Sequence, residues 1–175
     1  MANRISNARV VPDRLDEAAL AAQLQMRLRG APADGSSVSL ADAQRVVWVD
    51  AGDEVLVHLD SIQVRLLDRI IVVSVDLETD QTGRAPLICS LALGGQRDKA
   101  GLIATTDEIP HGNPQLGARW GRLLQSALWG SLLALARDHA AERGEDAHAL
   151  HVMPGRLQLE TARLPRITLP ARPKS

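Results

Sequence analysis

Phenylalanine and tyrosine are absent from this chain, and tryptophan occurs three times in 175 residues. A core of this size must therefore be assembled from Leu, Val, Ile and Ala, with the indoles as its only large aromatic groups. A single cysteine, Cys89, excludes an intramolecular disulfide, so nothing asks for an oxidising compartment and a cytoplasmic location is expected. Long apolar runs are missing too. The most apolar stretch, 120–136, is interrupted by Arg122 and Gln125 and falls short of the ~20 residues that span a bilayer, so no membrane partner is expected. Residues 1–11 carry Arg4 and Arg9 but no apolar segment of the secretory kind.

Charge of one sign is scarce as well, with a formal net charge of -1 and no cluster of Lys and Arg of the kind a nucleic-acid platform requires. Arginine supplies 18 of the 20 cations, which suits bidentate ion pairs at protein surfaces and equally follows from a GC-rich coding sequence. What is present is 45% hydrophobic and 23% charged, the composition of one ordinary globular domain. Its acidic groups gather in the middle, where 45–94 holds four basic and eight acidic residues, while 144–175 is mildly basic.

The periodicities predict an α+β fold. A helix over 14–29 is indicated by the apolar row Leu15, Ala18, Ala19, Ala22 and Met26, with Asp13 placed to cap it and Gly30 to stop it. Pro32, Asp34, Gly35 and Ser36 then mark a linker. Between 45 and 93 the period changes to two and predicts an antiparallel meander of about five short strands, at 46–49, 54–60, 61–67, 69–78 and 86–93. Asn113 and Pro114 form a helix start, and the pattern runs on to Gly144, predicting one long helix over 114–143, roughly 45 Å in length, covering the sheet. A short β segment around Pro154-Gly155 and a proline- and arginine-containing tail complete the chain. The expected organisation is an N-terminal helix in 1–30, a linker or short helix in 31–44, the α+β domain in 45–162 and an extended tail in 163–175.

Two acidic side chains form the most suggestive chemical motif. In Val73-Ser74-Val75-Asp76-Leu77-Glu78-Thr79-Asp80 an apolar strand ends in Asp76 and Glu78, which period two puts on one side, where a shared divalent metal could activate water. With Thr79 and Gly83, the fragment resembles the first motif of the DEDD family of 3'-to-5' exonucleases. That resemblance spans 73–83 only, and it implies a metal-dependent phosphodiesterase whose further acidic ligands come from distant segments. The family carries this motif on its first strand, whereas here several strands precede it. The alternative is a polar strand end leading into a hairpin turn.

Other groups point less far. Asp146, His148 and His151, with His139 on the helix before them, are ligand types that zinc accepts, but on a strand the His148 and His151 side chains diverge. Cys89 sits in an apolar strand pattern, as an inert core thiol would. The loop Gly94-Gly95-Gln96-Arg97-Asp98-Lys99 offers backbone N–H groups and two cations to an anion, or is a plain solvated turn. No nucleophile elbow or phosphate loop is present, and neither a catalytic residue, a metal nor a cofactor is expected.

The long helix supplies the remaining signal. Trp129 lies half a turn from the Trp120 stripe, with Leu133, Ala136 and Ala140 near it, so a second apolar strip points away from the sheet. Gly117 and Gly121, one turn apart, admit either the sheet or another subunit at close range. These features predict a non-catalytic assembly or adaptor protein that associates with itself or another protein, with a homo-oligomer expected. Its expected contacts are Gly117, Gly121, Trp129, Leu133 and Ala136 on the helix, and Arg163, Arg166 and Arg172 in the tail. The alternative is the phosphodiesterase or nuclease using Asp76 and Glu78.

Overall fold

Alternating Val, Leu and Ile residues build the middle of the chain into hairpin after hairpin, because each strand buries only every second side chain. The computed structural model describes residues 13–30, 37–95 and 98–163. The fold is α+β. Its elements are β1 (Arg14–Leu15), α1 (Glu17–Leu28), β2 (Ser37–Leu40), β3 (Arg45–Asp50), β4 (Asp53–Leu67), β5 (Ile70–Thr79), β6 (Gly83–Leu93), β7 (Ala104–Thr106), β8 (His111–Gly112), α2 (Pro114–Glu142), β9 (Asp146–Met153) and β10 (Arg156–Ala162).

Strands β2 to β7 form one antiparallel meander in chain order, with β8 paired to β6, and β1, β10 and β9 form a second sheet. The main sheet thus has seven strands along its path or beside it where about five were expected. One addition is β2, which lies in the stretch expected as linker or short helix and pairs with β3. Asp16, and not Asp13, caps the first helix: its carboxylate accepts the Ala19 N–H at 2.7 Å. Arg14 and Leu15, expected within that helix, instead pair with β10.

The stretches expected as two strands at 54–60 and 61–67 are one strand, β4, interrupted by a bulge. His58 opposes Asp76 and Gln63 opposes Ser74, so four residues of β4 face Val75 alone. The bulge changes the phase of the pleat. Val55, Val57 and Leu59 face the core before it, and Ile62, Val64 and Leu66 face the core after it. Ser61 fills the gap in the ladder: its hydroxyl accepts the Asp76 N–H at 2.7 Å and donates to the His58 carbonyl at 2.6 Å.

Beyond the bulge, β4 has no β3 beside it, and α1 packs there instead. Glu17 Oε1 accepts the Leu66 N–H at 2.9 Å, and the Leu66 carbonyl accepts the N–H of Gly155 from the β9–β10 turn at 2.9 Å. These two bonds satisfy an edge that would otherwise expose strand polar groups.

One contiguous core joins α1, α2 and both sheets. Across the main sheet its rows run Val64, Val73, Cys89 and Leu66, Ile71, Leu91, with Leu116, Leu124, Leu128, Leu132 and Leu135 of α2 also buried in it. Asn113 caps α2, its side-chain oxygen accepting the N–H groups of Gln115 and Leu116, and Pro114 occupies the first turn where no N–H is needed. At the other end, Asp13 pairs with the buried His139 and with Arg143, whose hydrogen bond holds the Asp13 carboxyl below its ordinary range.

Gly117 and Gly121 receive the chain that leads into their own helix. A Cβ on Gly121 would overlap Cδ of Pro110, and one on Gly117 would lie 3.0 Å from Cγ2 of Ile109. One turn further along the same row, the Gln125 amide donates to the Asp107 carbonyl at 2.7 Å. Gly130 is exposed, and nothing lies within 4 Å of a Cβ placed there. The Gly121→Ala variant should be destabilised by about 1–3 kcal/mol, since overpacking outweighs its gain in helix propensity, whereas Gly130→Ala should be stabilised by about 1 kcal/mol. Denaturant unfolding of the two variants checks both signs.

Candidate interaction surface

The pleat that turns Val73, Val75 and Leu77 inward turns Val72, Ser74, Asp76 and Glu78 outward, and among the described residues no helix or second sheet lies over that side. Registration across the strands assembles the outward face. Val47 faces Leu56, Arg65 faces Val72 and then Ser90, and Ser74 faces Ile88. Its apolar groups fall in two patches, Val47 with Leu56 and Val72 with Ile88, separated by Ser74, Asp76 and Glu78, and Ile88 is 38% exposed. Leu40 on the outermost strand β2 and Ile103 beside β7 are each 66% exposed, so both margins of the sheet also present large aliphatic groups.

Asp76 and Glu78 do share this face, as period two requires, and each has a side-chain partner of its own. Arg84 Nε donates to Asp76 Oδ2 at 2.7 Å, and the buried His58 ring meets Glu78 Oε2 at 2.7 Å through Nε2. The hydrogen bond to Asp76, with the nearby Asp60 and Glu78 charges, raises the Arg84 pKa. Among the described residues no group of three or more His, Cys, Asp or Glu side chains could hold a metal ion. His139 is turned to Asp13, and His151 is paired with Glu160 at 2.7 Å.

The predicted contact residues are dispersed. Gly117, Gly121 and Ala136 are buried inside the chain itself. The second apolar strip is wrapped by the same polypeptide at Ala136 and Ala140, which leaves Trp129 and Leu133 half-buried at its margin, Trp129 being packed against the core. The second strip was expected to be covered by the N-terminal helix or another subunit; α1 does contact α2, and the buried arc of α2 is wider than one stripe because the sheets, α1 and the Ile109–Pro110 segment approach from different sides. Arg163 is exposed, with Nε 3.5 Å from Glu145 Oε1. Arg166 and Arg172 lie outside the described residues.

One cluster gave no sequence signal. Arg119 in the first turns of α2 clamps the β3–β4 hairpin, its Nη1 donating to Asp50 and its Nε to Asp53, both at 2.7 Å, while its guanidinium stacks on Trp120 at 4.5 Å. The two aspartates raise the Arg119 pKa. Partners so far apart in the chain carry no local pattern by which to find them. Beside the clamp lies a polar cleft of about 450 Å³ lined by Glu54, Asp80, Thr82, Gln115 and others.

In comparisons with known proteins, no family model, curated protein or solved structure matches the chain. Among the described residues no helix is long and apolar enough to cross a membrane.

Cys89 is fully buried in the middle of the sheet, and desolvation pushes its thiol up to about 12. Only the thiolate reacts, so native protein at pH 8 should resist alkylation by iodoacetamide, and unfolded protein should be labelled at once. Because the folded pKa is raised, the neutral thiol stabilises the fold below pH 9, and this contribution is lost between about pH 9 and 12. Alkaline unfolding followed by circular dichroism should accordingly be shifted to higher pH in Cys89→Ala relative to the acid-side midpoint.

Proposed function

We propose that this chain is a non-catalytic assembly protein that associates with a second copy of itself through the outward face and margins of its seven-stranded sheet. The observation that carries this reading is the one-sided cover of the sheet: α1 and α2 pack on its inner face, and no described element packs on the outer one. Two small apolar patches, Val47 with Leu56 and Val72 with Ile88, interleaved with polar groups, give that face the mixed character of a non-obligate interface.

Charge favours a copy of the same face as the occupant. In a two-fold contact each surface meets itself, so unpaired like charges would repel. Here the central carboxylates already have partners within the chain, Asp76 an ion pair with Arg84 and Glu78 a hydrogen bond with His58. The exposed Leu40 and Ile103 extend the apolar area to the edges, where strand addition would engage the free backbone groups of β2 and β7. The half-buried Trp129 and Leu133 on α2 are a smaller and separate contact. Engaged as they are by Arg84 and His58, Asp76 and Glu78 support the phosphodiesterase reading only by sharing a face.

Sedimentation equilibrium should give a mass above the 18.8 kDa of one chain, and Ile88→Glu should return it to the monomer with an unchanged circular dichroism spectrum. Trp129→Glu should leave the larger species in place. A monomer at every concentration tested, or a larger species insensitive to Ile88→Glu, would sink the proposal. Titration calorimetry with Mg²⁺ or Mn²⁺ should give no heat that Asp76→Asn abolishes.

A further inference from the structure

Where the two sheets meet, a cleft of about 480 Å³ opens between the end of β6 and the β9–β10 hairpin. Among the described residues its lining includes Arg69 and Lys99, the apolar side chains of Leu93, Leu150, Val152 and Met153, and no carboxylate. We propose that this cleft binds a small organic anion, whose carboxylate or phosphate group is held between Arg69 and Lys99 and whose apolar body lies against Leu150 and Met153.

Arg69 is the first reason. It occupies the β4–β5 turn with φ +60°, a backbone conformation in which glycine is at ease and a branched chain of carbon atoms is not. The position is held from both sides: the Arg69 N–H donates to the Val152 carbonyl at 3.0 Å, and the Arg69 carbonyl accepts the Leu93 N–H at 2.9 Å. Those bonds involve the backbone alone and would be made equally by glycine. What arginine adds is a guanidinium that lies over Gly94 at the cleft, so close that a Cβ on Gly94 would come within 2.9 Å of Nη2. A strained residue whose side chain is not needed by the turn points to a use for that side chain.

Unspent charge is the second reason. Both are exposed, and among the described residues neither Arg69 nor Lys99 has an ion pair; Arg14, Arg122 and Arg137 share that state, but Arg69 and Lys99 line one cleft together. Of the acids next to them in the chain, Asp68 does not line the cleft and Asp98 accepts the Ile103 N–H at 2.6 Å. His151 on the cleft wall is paired with Glu160. The third reason is rigidity. The Leu150 N–H donates to the Ala100 carbonyl at 2.7 Å, and Gly101 packs so tightly on the Leu150 carbonyl that no Cβ fits, which fixes the loop carrying Lys99 against β9. A guanidinium and an ammonium lining one cleft with aliphatic side chains are suited to an anion with a compact hydrophobic end.

Two probes separate the sources of such an anion: inorganic phosphate for a phosphate ester, and hexanoate for a carboxylate. Followed by ¹⁵N–¹H spectra of the full chain, at least one should shift the Gly94, Gly101 and Val152 amides saturably in the millimolar range. Arg69→Gly, which keeps the turn's backbone and removes only the guanidinium, should weaken that response about tenfold while preserving the remaining spectrum. Lys99→Gln provides the same readout should the first variant not fold. No saturable shift with either probe, or an equal response in wild type and variant, would overturn the assignment.

Discussion

Everything in this fold follows from burying one aliphatic face of β4, β5 and β6 without help from Phe or Tyr. Large aromatic rings let a core close over a few contacts, whereas Val, Leu and Ile must be brought together in number and in register. The rows Val64–Val73–Cys89 and Leu66–Ile71–Leu91 do this across three long strands, and α2 supplies the leucines above them. At about 25 cal/mol per Å² of apolar area removed from water, such rows supply the main driving force for assembly. The same alternation leaves the opposite face with no cover of its own.

Local departures from regular geometry let the large pieces meet. The bulge between His58 and Gln63 turns β4 so that its first half pairs with β3 and its second half accepts α1, and Ser61 replaces the missing ladder contacts. Gly117 and Gly121 allow the 107–112 segment to run back along α2 at backbone distance, which sets where the helix begins over the sheet. Arg69 joins the two sheets through its backbone while presenting its side chain to the cleft between them. In each case a residue that is poor for regular structure makes a contact that regular structure would prevent.

Much of this architecture was legible beforehand. Period two located the meander, and Asn113-Pro114 located the start of α2, because both signals are local and their physics acts within a few residues. The bulge misled the pattern: a change of phase from Leu59 to Ile62 reads as the end of one strand and the start of another. The short strands β2 and β8 were missed because too few residues alternate in them. The shared face of Asp76 and Glu78 was legible. Their pairing with Arg84 and His58 was not, since it depends on which strands lie side by side. For Trp129, the helical angle was right and the inference from it too strong, because a helix can be approached from more than one direction by its own chain.

The amino-acid order alone determined the type of each long element, the inert setting of Cys89 and the purely aliphatic character of the core, since these depend on spacing and composition over a few turns or strands. Tertiary structure decided what covers α2, which side chains the carboxylates meet, and that Arg69 and Lys99 line one cleft. Those outcomes depend on the distances between segments far apart in the chain, and such distances exist only once the sheets and helices have packed.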